Sequence, residues 1–429
     1  MLSKEDIDVT RLGSCQYDSP LHPTRDGGFV SESTRILQQS EISDEKPLDA
    51  SISFEKAGPR KKLFFRPEET TAAIVTCGGL CPGLNNVIRS ASLELIHNYG
   101  VKRVLGIRHG YQGLNPRVGQ PPVELTPDFI ERIHYLGGTV LGSSRGPHPV
   151  EVMVDFLERE RIDILLCVGG DGTQRGAQAI HREVLRRNLC KSILGIPKTI
   201  DNDIAYVSTT FGYATALAQS ETVLRAAHTE ARNAPNGIGL VKLMGRDAGF
   251  IAAGAALVSQ EANFVLVPEV SFPLQGEGGF LAALERRILA RKHALIVAAE
   301  GAGQHLFEHK EQRRDASGNV LNEDIGELLQ DRIKKHFSAR EIPLTLKYLD
   351  PSYLIRAIPA NAWDMYLSDQ LARHAVHAAM AGKTDTLVGS WDSHFVYLPI
   401  RTVIGKKKYL DRDDMLWTGV LASTGQPRW

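Results

Sequence analysis

From Thr70 onward the chain alternates short apolar runs with amphipathic stretches. "TAAIVTCGG" predicts a strand entering a glycine turn, and "GLNNVIRSASLELIHNYG" a helix ending at Gly100. "VKRVLGIRHG" predicts a strand, and "PVEVMVDFLERERI" a helix with Val152, Phe156 and Leu157 on one face. "DILLCVGG", "TQRGAQAIHREVLRRN" and "KSILGIPKT" continue as strand, helix and strand. These strands are apolar at successive positions rather than alternate ones, so both faces are buried, as in a parallel sheet covered by helices. The pattern restarts after the long helix "TFGYATALAQSETVLRAAHTEARN", with "GIGLVKLMG", "FVLVPE" and "HALIVAAEG" as three further runs. The expectation is an α/β chain of two three-layer lobes with mostly parallel sheets. Ligands of such sheets gather beyond the carboxyl ends of the strands, where these runs turn polar.

Residues 1–68 lack this periodicity and read as a loosely ordered or partner-packed extension. At 429 residues the chain exceeds one ordinary core, in keeping with two lobes. Lys+Arg and Asp+Glu both number 50, leaving no net field to draw in nucleic acid or an acidic membrane. The basic clusters "RKK" (60–62) and "GKKK" (405–408) are short, lack interleaved aromatics and read as solvated surface. No apolar run approaches the roughly 18–20 residues of a membrane helix. The opening "MLSKEDIDVTRLG" has no apolar signal core, and the last three residues are not a peroxisomal address. Five scattered cysteines suit a reducing cytoplasm, with Cys77 and Cys81 as small buried residues beside a turn rather than metal ligands.

Four polar turns carry candidate chemistry. "TCGGLCPGLNN" (76–86) leaves a strand and opens a helix, so its backbone N–H groups can face an anion. It matches neither the dinucleotide fingerprint nor the P-loop, and a plain tight turn fits it equally well. "GGTVLGSSRGP" (137–147) sets Ser143, Ser144 and Arg145 between glycines, and the planar fork of Arg145 suits phosphate. In "GGDGT" (169–173), Gly170 and Gly172 allow close backbone approach to phosphate, and Asp171 offers a hard carboxylate to Mg²⁺. A helix-capping role for the Asp, before a helix beginning near Thr173, is the competing account.

"PKTIDND" (197–203) is the most informative stretch. Thr199, Asp201 and Asp203 alternate, so an extended segment would point them the same way. Two carboxylates, with Lys198 three residues before the first, suit proton removal from a hydroxyl beside a phosphate. Together the turns describe phosphoryl transfer, which needs positioning, charge neutralisation and one base.

The ordered series "CGGLCPGLN", "GGTVLGSSRGP", "GGDGTQRGA", "PKTIDND", "TFGYATA", "KLMGRDAGF", "VPE" and "AAEGAG" resembles the phosphofructokinase family over about residues 70–400. "KYLDPSYLIRAIPANAWD" (347–364) and "DSHFVYLPI" (392–400) further resemble the subgroup of trypanosomatid and plant ATP-using enzymes. The resemblance implies two Rossmann-like lobes with the active site in the cleft between them. It implies a nucleotide-binding lobe of 69–212 plus 364–405, a sugar-phosphate lobe of 213–363, an extension of 1–68 and a tail of 406–429. It casts Asp201 as the base on the 1-hydroxyl of fructose 6-phosphate, with Asp203 supporting it and Thr199 holding the moving phosphoryl group. Asp171 would bind Mg²⁺; Gly79, Arg145, Gly170, Gly172, Thr173 and Lys198 would line the donor phosphates. Met244, Gly245, Arg246 and Glu300 would hold the sugar phosphate, and Arg356, with Tyr353 nearby, would contact its 6-phosphate. Such an Arg often comes from a neighbouring subunit, which implies a homo-oligomer, dimer or tetramer. The chain departs from many bacterial relatives at "PNGIG" around Gly237, where they carry an Arg, and at Ala357, where Gly is common.

The donor turns on two positions. Pyrophosphate-using relatives usually read GGDD, and the second Asp fills and repels the place of an α-phosphate; Gly172 leaves room for a nucleotide. Lys198 points the other way, because bacterial ATP enzymes carry Gly there. The blocking effect outweighs the added attraction, so ATP is the expected donor. The alternatives are a pyrophosphate-dependent enzyme of the same fold, an NAD or lipid kinase sharing GGDGT, and a non-catalytic regulatory homologue.

Overall fold

A computed structural model describes residues 2–22, 28–44, 47–307 and 321–429. Ten strands carry its architecture: Thr71–Thr76 (β1), Arg103–Ile107 (β2), Ile164–Gly169 (β3), Ser192–Pro197 (β4), Gly237–Leu243 (β5), Phe264–Leu266 (β6), His293–Ala299 (β7), Thr345–Leu349 (β8), Thr386–Trp391 (β9) and His394–Pro399 (β10). The helices that cover them are Leu84–Leu93 (α1), Val150–Arg159 (α2), Asp171–Arg186 (α3), Tyr213–Arg232 (α4), Phe250–Ser259 (α5), Phe280–Arg291 (α6), Ile325–Ser338 (α7), Ser352–Arg356 (α8), Ala362–Met380 (α9) and Met415–Thr424 (α10). The chain divides into two compact units, one of Met1–Thr199, Ile204–Gly212 and Ile358–Lys407, the other of Ile200–Asp203, Tyr213–Ala357 and Lys408–Trp429.

In the first unit, β2-β1-β3-β4-β9 run parallel, and every residue of β1, β3 and β4 is buried. That is the burial the unbroken apolar runs predict, worth roughly 1.5–3 kcal/mol for each fully buried Val, Leu or Ile. α1 packs with α9 and α2 with α3. From β1 the chain goes to β2 on one side and to β3 on the other, so strand order reverses between β1 and β3. At such a reversal the loops diverge and leave a crevice beyond the strand ends. In α2 the buried face is Met153, Val154, Phe156 and Leu157; Val152 lies at its margin.

Described segments of the polar N-terminal stretch are built into the fold. Residues Arg35–Leu37 and Ser53–Lys56 extend the same sheet beyond β10 as antiparallel strands. Phe54 is fully buried and meets the Trp391 ring edge-on at 5.6 Å. The charges that suggested solvation pair inside instead. Lys383, 0% exposed, binds Glu55 at 2.6 Å and Glu32 at 3.1 Å, while Arg60 joins the same two carboxylates at 2.8 and 3.1 Å. The "RKK" cluster is thus only partly surface: Arg60 is buried, Lys61 is exposed and Lys62 pairs with Asp18.

The second unit is a four-stranded parallel sheet, β6-β7-β5-β8. α4 packs with α5, and α6 with α7. Its last residues are integral to it. α10 packs on α5, and the Gln426 amide binds the backbone N–H and C=O of Val265, covering the edge of β6. Among the described residues no helix is long and apolar enough to cross a membrane, and no group of His, Cys, Asp and Glu forms a metal cluster. Cys77 and Cys81 are buried, as expected of small residues beside a turn.

Candidate functional site

In the first unit the turns after β1 and β3 flank the strand-order reversal, and each opens a helix. Gly83, the residue before α1, has φ 104°, and a β-carbon there would lie 2.5 Å from the Ser368 hydroxyl, so only glycine fits. α1 starts without a side-chain cap, and so does α3, whose preceding residue is Gly170. Two helix starts therefore bring uncapped N–H groups and positive dipole ends to neighbouring strand ends, a setting for anions.

Asp171 is the first residue of α3 and does not cap it. Its Oδ1 accepts the Gly405 backbone N–H at 2.8 Å, and its Oδ2 meets Arg175 at 2.8 Å one helical turn on. Capping therefore fails to explain this Asp, and its half-exposed carboxylate already collects positive partners. Arg175 went unread in the sequence, although its i,i+4 spacing from Asp171 was the available signal. A β-carbon on Gly172 would meet no heavy atom within 4 Å. The other turns are tied to this one. The Tyr111 hydroxyl donates to the Thr173 carbonyl at 2.7 Å, Ser143 donates to the Gly78 carbonyl at 2.6 Å, and Gly78 N–H donates to the Ser144 carbonyl at 3.2 Å. Arg145 Nη2 lies 3.5 Å from where a Gly79 β-carbon would sit. The Lys198 ammonium, on a buried residue, stands 3.4 Å from the corresponding point on Gly78. Gly79, Arg145, Gly170, Asp171, Gly172, Thr173 and Lys198 thus come from four loops of one unit.

After β4 the chain does not stay extended. It bends at Ile200 and Asp201, and Asn202 takes a left-handed φ of 57°. The strict alternation expected of Thr199, Asp201 and Asp203 is broken, because a left-handed residue turns the chain that a strand would carry straight on. Asn accepts that conformation more readily than most residues, a signal present in "IDND". Asp201 and Asp203 are half-buried, and the Asp203 carbonyl accepts the Lys408 N–H at 2.8 Å. Burial pushes the Lys408 ammonium down to about 8, against the pull of Asp203 and Asp414, and its Nζ lies 5.1 Å from the Phe250 ring centroid. The "GKKK" run is therefore not all solvated face, because its last Lys turns inward.

The remaining candidates share the second unit. β5 and β7 are parallel neighbours and end side by side: Glu300 N–H donates to the Leu243 carbonyl at 2.8 Å, and Arg246 N–H donates to the Glu300 carboxylate at 2.7 Å. Arg246 has φ 48° and Gly245 φ 143°, so the chain turns sharply after Met244. A non-glycine residue held left-handed beside a carboxylate is the sort of strain that functional sites keep. β8, on the other side of β5, runs into α8, where the Arg356 guanidinium lies 4.9 Å from the Tyr353 ring centroid. Met244, Gly245, Arg246, Glu300, Tyr353 and Arg356 thus all follow the carboxyl ends of three adjacent strands.

The family model for phosphofructokinase matches residues 71–379. The chain is 46% identical to the ATP-dependent 6-phosphofructokinase of Borreliella burgdorferi, over 98% of this chain and 97% of that one. It is 42% identical to the Trypanosoma brucei brucei enzyme of the same name, over 98% and 87%, and 43% identical to ATP-dependent 6-phosphofructokinase 1 of Arabidopsis thaliana, over 93% and 84%. Among solved structures it resembles the pyrophosphate-dependent phosphofructokinase of Marinobacter aquaeolei, with a TM-score of 0.68 over 84% of this chain and 92% of that one. At 19% identity that likeness speaks for the fold alone.

Proposed function

The chain belongs to the phosphofructokinase family, and from that premise we infer that it is an ATP-dependent 6-phosphofructokinase. It transfers the γ-phosphoryl group of ATP to the 1-hydroxyl of fructose 6-phosphate, giving fructose 1,6-bisphosphate and ADP, a step of glycolysis. The observation that carries the residue assignment is the pair of uncapped helix starts, at Gly83 and Gly170, on either side of the strand-order reversal, with Asp171 at one of them.

We assign donor binding to the first unit and sugar-phosphate binding to the second. Backbone N–H groups near Gly79, Gly170, Gly172 and Thr173, with Arg145 and Lys198, take the donor phosphates and the charge that spreads over the moving group. Asp171 fits Mg²⁺: its carboxylate is half exposed and already accepts a cation and an N–H. Bound there, the ion would neutralise phosphate charge. Asp201 takes the proton of the 1-hydroxyl as that oxygen bonds the γ-phosphorus and the β–γ bridge breaks. Asp203 supports it, and Thr199 holds the moving group. Met244, Gly245, Arg246 and Glu300 orient the sugar, and Arg356, over Tyr353, takes the 6-phosphate. Exposed Tyr353 (75%) and Leu354 (63%) beside Arg356 support a homo-oligomer, dimer or tetramer, that covers them. We place the enzyme in the cytoplasm.

Gly172 supports ATP over pyrophosphate, because it carries no side chain or charge and a β-carbon there would meet no heavy atom within 4 Å. The test is purified enzyme with fructose 6-phosphate and Mg²⁺, given ATP or pyrophosphate. Turnover with ATP and none with pyrophosphate is expected; the reverse overturns the donor assignment.

A further inference from the structure

Lys242 is the one charged residue in a strand that otherwise reads Gly-Ile-Gly-Leu-Val-Leu. The parallel register sets Val241 opposite Leu349, so the next step along both strands brings Lys242 beside Asp350. Its ammonium, on a side chain 13% exposed, meets Asp324 Oδ2 at 2.5 Å and Asp350 Oδ2 at 3.0 Å, and lies 5.9 Å from the Tyr348 ring centroid. Burial works against the charge, but the bonds to Asp324 and Asp350 raise the ammonium's pKa above the ordinary lysine value.

The second oxygen of each carboxylate is committed to a helix start. Asp324 Oδ1 accepts the Gly326 and Glu327 N–H groups at 2.8 and 3.1 Å, capping α7, and the Tyr348 hydroxyl at 3.2 Å. Asp350 Oδ1 accepts the Ser352 N–H at 3.2 Å and the Ser352 hydroxyl, at the first residue of α8. A continuous chain of charge-assisted bonds thus runs from the start of α7 through Lys242 to α8. α8 has only five residues and cannot hold its own conformation. It carries Tyr353 and Arg356. Stability alone explains this arrangement poorly, since ion pairs, buried or exposed, often contribute little net stability. What such a tether does supply is a fixed position.

We propose that Lys242 is a positioning residue for sugar-phosphate binding: through Asp350 it sets α8 and so the reach of Arg356. This rests on the assignment of Arg356 to the 6-phosphate. With the full-length enzyme, Lys242→Met is expected to raise KM for fructose 6-phosphate about tenfold or more. It should leave kcat within about threefold and KM for ATP unchanged, and Lys242→Arg should recover most of the loss. Should Lys242→Met not fold, Asp350→Asn, a milder change on a partly exposed side chain, is expected to raise the same KM about threefold to tenfold. An unchanged fructose 6-phosphate KM in these variants, or parallel losses for both substrates, overturns the proposal. A wild-type enzyme that fails to phosphorylate fructose 6-phosphate overturns instead the function from which it starts.

Discussion

The backbone N–H of Arg246 donates to the Glu300 carboxylate at 2.7 Å, joining the ends of two parallel strands. Arg246 is held left-handed, φ 48°, beside that bond. Glu300→Ala leaves the N–H without its acceptor, a cost of roughly 1–3 kcal/mol, and frees the turn that presents Arg246. KM for fructose 6-phosphate should rise on the order of tenfold to a hundredfold, with KM for ATP unmoved. Steady-state kinetics with each substrate varied checks this, and a wild-type sugar-phosphate KM would remove the clamp from the account.

Asp171 is shared between Arg175 and any cation that arrives. An exposed i,i+4 pair is worth only about 0.3–0.5 kcal/mol, so Arg175→Met should change the Mg²⁺ dependence by about twofold at most. Asp171→Asn removes the ligand itself and should lower kcat on the order of a hundredfold while raising the Mg²⁺ requirement. Initial rates against free Mg²⁺ at fixed ATP separate the two. Equal effects of both changes would place the ion elsewhere.

Gly172→Asp gives an unusually clean test of donor choice. The backbone there is not left-handed and an added β-carbon meets no heavy atom within 4 Å, so the fold should be kept. ATP-dependent turnover should fall by about a hundredfold or more, because a carboxylate then faces the donor anion. Circular dichroism confirms the fold and a coupled assay reads the loss. Undiminished ATP use in a folded variant means that Gly172 does not decide the donor.

Asp201→Asn keeps the shape and removes the base. Turnover should drop by roughly 10²–10⁴, with fructose 6-phosphate affinity within a few-fold of wild type. Calorimetry and kinetics on one preparation suffice. Retained turnover would move the base to another group, Asp203 first.

The parallel sheets and their loops were readable because each depends on local sequence. β1, β3 and β4 are apolar throughout, and glycines mark the turns. What stayed hidden depends on partners distant in the chain. Arg60 reads as a solvated charge until Glu55 and Lys383 join it, and nothing around Lys242 announces Asp324 or Asp350. The alternation expected of Asp201 and Asp203 fails, since one left-handed Asn between them cancels the two-residue period. The inward turn of Lys408 needed Asp203 and Asp414 in view together.

Asp385, buried where β9 begins, offers a prediction about pH. Its φ is 51° and its Oδ1 has no hydrogen-bond partner. Burial pushes its carboxyl up to about 6 from an ordinary 3.8, with Arg401, Arg182 and a hydrogen bond from Gln178 opposing the rise. The folded state therefore holds more protons than the unfolded chain between those two values, and stability falls as pH rises through that window. Above about pH 6 the ionised carboxylate imposes its full cost, on the order of 1–3 kcal/mol. Asn copies the protonated shape and tolerates the left-handed backbone. Asp385→Asn should thus raise Tm by a few degrees at about pH 7.5, and the gain should shrink towards nothing near pH 4. Thermal unfolding of both proteins at the two pH values decides it; a gain of equal size at both would mean that the carboxyl's charge is not what burial penalises here.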